Sequence, residues 1–191
     1  MININSLDKL IEDSENEILN IRPDTEKKII WANQNKVKTK ISLIFIHGFS
    51  ATRAELDPVI EMLGKELNAN IFFTRLRGHG LDGEALAEAT FDDWMIDTKE
   101  AIDIGNAIGD SLILIGCSTG CSLIHANLQY TENALAIIYV SPNFGPKSFF
   151  GQLLRIPGAK WFIPFIFGKE YSFVPRNADH ARCWTTSYPI R

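Results

Sequence analysis

Five residues, Gly116-Cys117-Ser118-Thr119-Gly120, constrain this chain more than any others. They follow an apolar run, Leu112-Ile113-Leu114-Ile115, and precede a helical pattern from Cys121 to Tyr130. A buried strand that feeds directly into a helix leaves room only for a sharp turn. A serine at its apex is strained, and glycine is needed on both sides because a Cβ at position 116 or 120 would meet neighbouring backbone. The turn lifts the Ser118 hydroxyl out of the sheet, and the helix N-terminus that follows favours negative charge beside it. This is the geometry of a nucleophile elbow. A bare G-x-S-x-G match is common; the strand before it and the helix after it give it force.

A second motif agrees with the first. Ile41 to Ile46 reads as a buried strand ending in His47-Gly48-Phe49-Ser50. An oxyanion hole needs two backbone N–H donors aimed at one point. Thr119, the residue after the serine, supplies one, and Phe49 in the earlier loop supplies the other. Gly48 lets that loop pass close to a reacting carbonyl. About 70 residues separate the motifs, enough for a strand and two helices.

Taken in order, "LIFIHGFSAT", "RLRGHG" and "LILIGCSTG" resemble the N-terminal half of the α/β-hydrolase superfamily, over roughly residues 25 to 145. The nearest flavour is the serine hydrolases that include monoacylglycerol lipases, carboxylesterases and S33-type peptidases. The resemblance implies a mostly parallel sheet with flanking helices, a Ser118 nucleophile and no cofactor or metal. It also implies a cap inserted after the strand at 135–140.

Size and composition agree with one soluble globular domain. The chain has 191 residues, 46% hydrophobic and 22% charged, with net charge −4. That charge leaves no electrostatic footprint for nucleic acid. Cys117, Cys121 and Cys183 make neither a disulfide framework nor a C-x-x-C metal pair, and read as small buried residues. Met1 to Asn20 carries five acidic residues and no long apolar core, so it is not a signal peptide. No stretch approaches the ~20 apolar residues of a spanning helix. The expected location is cytoplasmic.

Along the chain, Asn5–Leu19 fits a short amphipathic helix, and Lys28–Ala32 a strand. Ala54–Leu67 has helical spacing that Asn68–Asn70 ends. Ile71–Leu76 reads as a strand leading into Arg77-Gly78-His79-Gly80. Phe91–Ile108 is a helix with Thr90 as its N-cap and Asp92 and Asp93 in its first turn. The last strand of the pattern is Leu135–Val140. Alternating strands and helices predict a parallel sheet with crossover helices.

Residues 1–143 therefore form the expected core, and 144–191 a partial cap or lid. The second segment is aromatic and irregular, with Phe149, Phe150, Leu153, Leu154 and Ile156 and then an apolar run from Trp161 to Phe167. It reads either as ordinary core or as a lid lining an acyl-chain pocket.

A serine needs a base, ordinarily a histidine oriented by a carboxylate. In the resembled family the order is Ser, acid, His, and no convincing strand follows Val140. The fold is thus expected to be C-terminally truncated, with acid and base positions missing. His47 reads as a brace for its own loop. His79 lies near the site but precedes the serine and lacks an orienting acid. His125 sits within the helix after Ser118. His180, beside Asp179, alone has the right chain order, although adjacent side chains rarely orient one another. Two functions follow. One is a serine hydrolase acting on a small carboxylic ester with an apolar acyl group. The other is an inactive remnant that binds an apolar ligand or a partner chain. The bare outer edge of strand 135–140 predicts self-association.

Overall fold

The computed structural model describes residues 2–145, 157–158, 165 and 168–190. The chain starts with a 3-10 turn at Ile4–Ser6 and a helix at Leu7–Asn16 (α1). Lys28–Ile30 (β1), Thr39–Ile46 (β2), Asn70–Phe73 (β3), Gly109–Cys117 (β4) and Ala134–Val140 (β5) build one five-stranded sheet. Its order is β1-β3-β2-β4-β5. β1 runs antiparallel to β3, and every other pairing is parallel.

The two central strands show why this sheet forms. Successive strand residues face opposite sides. Ile44 and Ile46 of β2, with Leu112 and Leu114 of β4, enter one core. Leu43 and Phe45, with Ile113 and Ile115, enter the other. Each side is roofed by helices. Phe91–Ile108 (α4), Thr119–Ala126 (α5) and α1 supply Ala101, Ile102, Ile108, Leu123, Ile124, Leu7 and Ile11 to the first core. Val59–Leu67 (α2) supplies Ile60 to the second. A parallel sheet must be covered on both faces, which accounts for the near-continuous apolar runs in β2 and β4.

The sequence-based elements are recovered with three corrections. The helix expected over Ala54–Leu67 is two pieces: a 3-10 turn at Arg53–Leu56 and then α2. Pro58 is the cause, because a residue before proline avoids the helical region; Asp57 is extended at φ −62°, ψ 138°. Asn68 does end α2, in the left-handed conformation at φ 49°, ψ 47°. A short helix at Gly83–Glu88 (α3), capped by the Asp82 side chain, carries no clear apolar period and was not expected.

The third correction concerns the C-terminal segment. Where no strand was expected after Val140, Glu170–Ser172 (β6) and Ser187–Pro189 (β7) pair antiparallel in a separate two-stranded sheet, with a helix at Ala178–Cys183 (α6) between them. Three residues are too short for alternation to be read. The apolar stretches 149–156 and 161–167 fall almost wholly outside the described residues. β5 is an edge strand, paired only with β4 among the described strands; Leu135 is 63% and Ile138 41% exposed. No helix among the described residues is long and apolar enough to cross a membrane.

α4 is held at its start by a reciprocal box. Thr90 Oγ1 accepts the Asp93 N–H at 3.2 Å, and Asp93 Oδ2 accepts the Thr90 N–H at 2.9 Å. Thr90→Ala removes half of it. Urea unfolding is expected to show a loss of about 1 kcal/mol; an unchanged unfolding midpoint would mean tertiary packing alone holds that helix end.

Candidate functional site

Parallel strands in register finish together. Ile46 of β2 pairs with Gly116 of β4, so His47, Gly48 and Phe49 leave the sheet beside Cys117, Ser118 and Thr119. On the other side of β4, Cys117 pairs with Val140 at the end of β5. Crevices at the carboxyl ends of parallel strands are where such sheets bind ligands.

Ser118 joins β4 to α5 with φ 49° and ψ −110°, a conformation that side-chain-bearing residues rarely adopt. Its N–H donates to Val140 O at 3.0 Å, and its carbonyl accepts from Cys121 N–H at 3.1 Å and Asn143 N–H at 3.3 Å. The flanking glycines are required by contact. A Cβ on Gly116 would stand 2.7 Å from Cys121 N, and one on Gly120 would run into Ile46 O. The first turn of α5 therefore rests directly on the end of β2. Gly48 closes the other side, since a Cβ there would be 3.2 Å from Ser118 Cβ. Ser118 Oγ hydrogen-bonds no described residue, and neither the Phe49 nor the Thr119 N–H donates to one. The arrangement thus places, where β2 and β4 end, a hydroxyl and two N–H donors that no described residue engages.

His47 and His79 are both fully buried, with rings 4.8 Å apart. His47 Nδ1 donates to Gly48 O at 2.9 Å, and its Nε2 accepts the Leu76 N–H at 3.2 Å. His79 Nδ1 donates to Arg77 O at 3.1 Å, and its Nε2 accepts the Ser50 N–H at 3.1 Å. A ring nitrogen facing a carbonyl must carry the proton and one facing an N–H must be bare, so both imidazoles are neutral with all nitrogens engaged. Burial pushes the His47 pKa down to about 4, and burial with the neighbouring His47 pushes His79 well below the ordinary value. Neither ring has a lone pair left for a serine proton.

The other two histidines pair with no carboxylate among the described residues. His125 packs edge-on to Tyr139 and Phe144. His180 lies in α6, stacked on Trp184 at 4.6 Å, with its Nδ1 buried and lacking a hydrogen-bond partner among the described residues. No hydrogen bond or ion pair joins it to Asp179, which is exposed. Among the described residues no histidine is bonded to an aspartate or glutamate.

Several residues of the site carry no sequence signal. Arg75 and Glu15 form a buried bidentate pair at 2.7 and 2.8 Å, and Arg75 also donates to His79 O at 3.2 Å. Burial alone would raise the Glu15 pKa; the hydrogen bonds and charges of Arg75 and Lys27 outweigh it and leave it lowered. Asp97 accepts the Arg77 N–H at 2.6 Å, and Trp94 Nε1 donates to Arg77 O at 2.9 Å. Glu55 accepts the Gly48 N–H at 2.7 Å. Cys117 is no rival nucleophile: burial first, then Glu55, pushes its thiol up to about 12.

The C-terminal segment returns to this edge. Thr185 N–H donates to Ser50 O at 2.7 Å, and Arg22 donates to Trp184 O at 2.9 Å. The Tyr188 ring meets Phe49 edge-on at 5.1 Å, while Phe49 also touches Trp94 and His79. Phe49 is 37% exposed, so an aromatic face lies open beside Ser118.

Comparisons with known proteins follow this geometry. A model of the alpha/beta hydrolase family matches residues 43–188. No curated protein matches in sequence. Among solved structures, one reported for LipS and LipT, two metagenome-derived lipolytic enzymes, superposes with a TM-score of 0.68 at 18% identity, over 89% of this chain and 65% of that one. Est1E from Butyrivibrio proteoclasticus with bound ferulic acid superposes with a TM-score of 0.51 at 20% identity, over 65% of this chain and 53% of that one. The chain thus spans less than two thirds of the length of either neighbour.

The two histidines make a pH prediction. An unfolded histidine titrates near 6.5, whereas His47 stays neutral in the fold down to about 4. Their contribution to stability is complete above pH 6.5 and is lost as the pH falls toward 4. Imidazole nitrogen shifts are expected to report neutral His47 and His79 at pH 5.5, with unfolding free energy declining across that window. Two rings titrating near 6.5 would contradict the buried clasp.

Proposed function

Because the chain belongs to the α/β-hydrolase family, we propose that it is built to hydrolyse carboxylic esters through a Ser118 nucleophile. The strained Ser118 at the junction of β4 and α5 carries this reading. Ser118 Oγ attacks the ester carbonyl carbon. The Phe49 and Thr119 N–H groups, neither bonded to a described residue, receive the charge that develops on the carbonyl oxygen. The Oγ proton passes to the departing oxygen, which leaves as the alcohol, and water then releases the acid from the acyl-enzyme and returns a proton to Ser118 Oγ. A pair of pre-aimed donors of this kind supplies several kcal/mol of transition-state stabilisation, roughly 3 per donor.

The aromatic face of Phe49, Trp94 and Tyr188 favours an ester with an apolar acyl group, of the esterase, lipase or lysophospholipase type. The lipolytic neighbour is in keeping with it. No cofactor or metal enters this chemistry. We divide the chain functionally into a core, 1–143, and a cap segment, 144–191, whose described part docks on the Phe49 loop. Three free buried cysteines favour a reducing compartment such as the cytoplasm.

One observation favours a second reading. His47 and His79 are closed, and among the described residues no histidine is paired with a carboxylate. On that reading the chain is a catalytically silent α/β-hydrolase segment that binds an apolar ligand or a partner chain.

A fluorophosphonate probe separates the two. On the first reading the protein is labelled, and Ser118→Ala abolishes labelling; folded protein that takes no label supports the second. The exposed outer edge of β5 gives an independent expectation, association through strand pairing. Size-exclusion chromatography with light scattering is expected to show a dimer or larger species; a clean monomer at high concentration would count against it.

A further inference from the structure

Glu55 projects from the 3-10 turn at Arg53–Leu56 into the space between the Gly48 loop and the end of β4. Its Oε2 accepts the Gly48 N–H at 2.7 Å, and the same carboxyl lies near enough to Cys117, the residue before the serine, to raise that thiol's pKa. The point where a Gly48 Cβ would stand is 2.9 Å from Glu55 Oε1 and 3.2 Å from Ser118 Cβ. One carboxyl therefore touches both halves of the site: the loop that offers the Phe49 N–H and the strand end that offers Ser118.

The Gly48 N–H has two alternatives here. Left free, it would be a third donor in the crevice, offered by the His47–Gly48 peptide beside the Phe49 N–H of the next one. Held by Glu55, it is withdrawn, and the next N–H along the chain, that of Phe49, remains the donor on offer. A charge-assisted hydrogen bond of this length is strong, and the half-buried carboxyl makes it in place of water. His47 Nδ1 and the Ala51 N–H already hold the Gly48 carbonyl, and Glu55 holds the other polar group of this residue.

We propose that Glu55 is a positioning residue that holds the Gly48 N–H, and with it the His47–Gly48 peptide, beside the nucleophile turn and so leaves the Phe49 N–H as the oxyanion donor. The inference rests on the serine-hydrolase reading of the same site. Burial raises the pKa of the Glu55 carboxyl above its usual value, against the opposing effect of the Gly48 N–H and the Cys117 thiol.

Two measurements decide the matter. In wild-type protein the Gly48 amide proton is expected to move with pH, with a midpoint above that of an ordinary glutamate. That movement is lost in Glu55→Gln and Glu55→Ala, and in Glu55→Ala the Phe49 and Ser50 amides shift as well. A Gly48 amide indifferent to both pH and substitution overturns the proposal, and this readout does not depend on turnover. Fluorophosphonate labelling of Ser118 is expected to slow about 10- to 100-fold in Glu55→Ala. Glu55→Gln, which keeps an acceptor oxygen, restores it to within about threefold. Equal labelling of wild type and Glu55→Ala overturns the positioning role. Wild-type protein that takes no label while its Gly48 amide titrates sinks the Ser118 reading and the catalytic role of Glu55 with it, leaving only the loop contact.

Discussion

Two imidazoles clasp the loops at the carboxyl edge of the sheet. His47, at the end of β2, accepts an N–H from the loop after β3, and His79, in that loop, accepts an N–H from the loop after β2. Each loop thus contributes one ring and one amide to the other. A buried N–H without a partner costs free energy comparable to a lost hydrogen bond. Neither loop can therefore shift alone without stranding a donor. Because the exchange is reciprocal, the position of Phe49 relative to Ser118 is referred to β3 as well as to β2 and β4. The same engagement that makes the histidines good braces makes them useless as bases, since bracing and proton transfer need the same lone pair.

Charge surrounds the clasp on its outer side. Glu15 from α1 reaches Arg75, Arg75 reaches His79 O, and Asp97 from α4 takes the Arg77 N–H. A buried carboxylate–guanidinium pair repays its desolvation only with good geometry and satisfied lone pairs. Here Glu15 meets Arg75 with both oxygens and the Lys27 N–H besides. Helix α1, far from the serine in sequence, is thereby built into the support of the loop beside it.

Much of this was legible in the residues and some was not, for physical reasons. The runs Leu43–Ile46 and Leu112–Ile115 read as buried strands because a parallel sheet is apolar on both faces. Thr90 read as a cap because its hydroxyl has one efficient use there. Gly116 and Gly120 read as obligatory because the turn leaves no space for a Cβ. Pro58 could have been read as a break in the helix predicted over 54–67, since its effect on the preceding residue is local. Glu15, Glu55, Arg75 and Tyr188 could not be read as site residues. Each acts through a partner brought close by the fold, and nothing in a carboxylate's immediate neighbours says which distant amide it will meet. β6 and β7 were hidden for a related cause, being too short to carry a period of their own.

The bond from Arg22 to Trp184 O joins residues 162 positions apart. Synthesis is vectorial, and Arg22 emerges long before its partner exists. Contacts of such separation carry the largest closure entropy and are made late. The clasped loops can settle on β2, β3 and β4 while the segment carrying Thr185 and Tyr188 is still being made. Thr185 and Tyr188 then arrive on a finished edge. The crevice beside Ser118 thus keeps the side that Tyr188 covers open until well after Phe49 and Trp94 have been made.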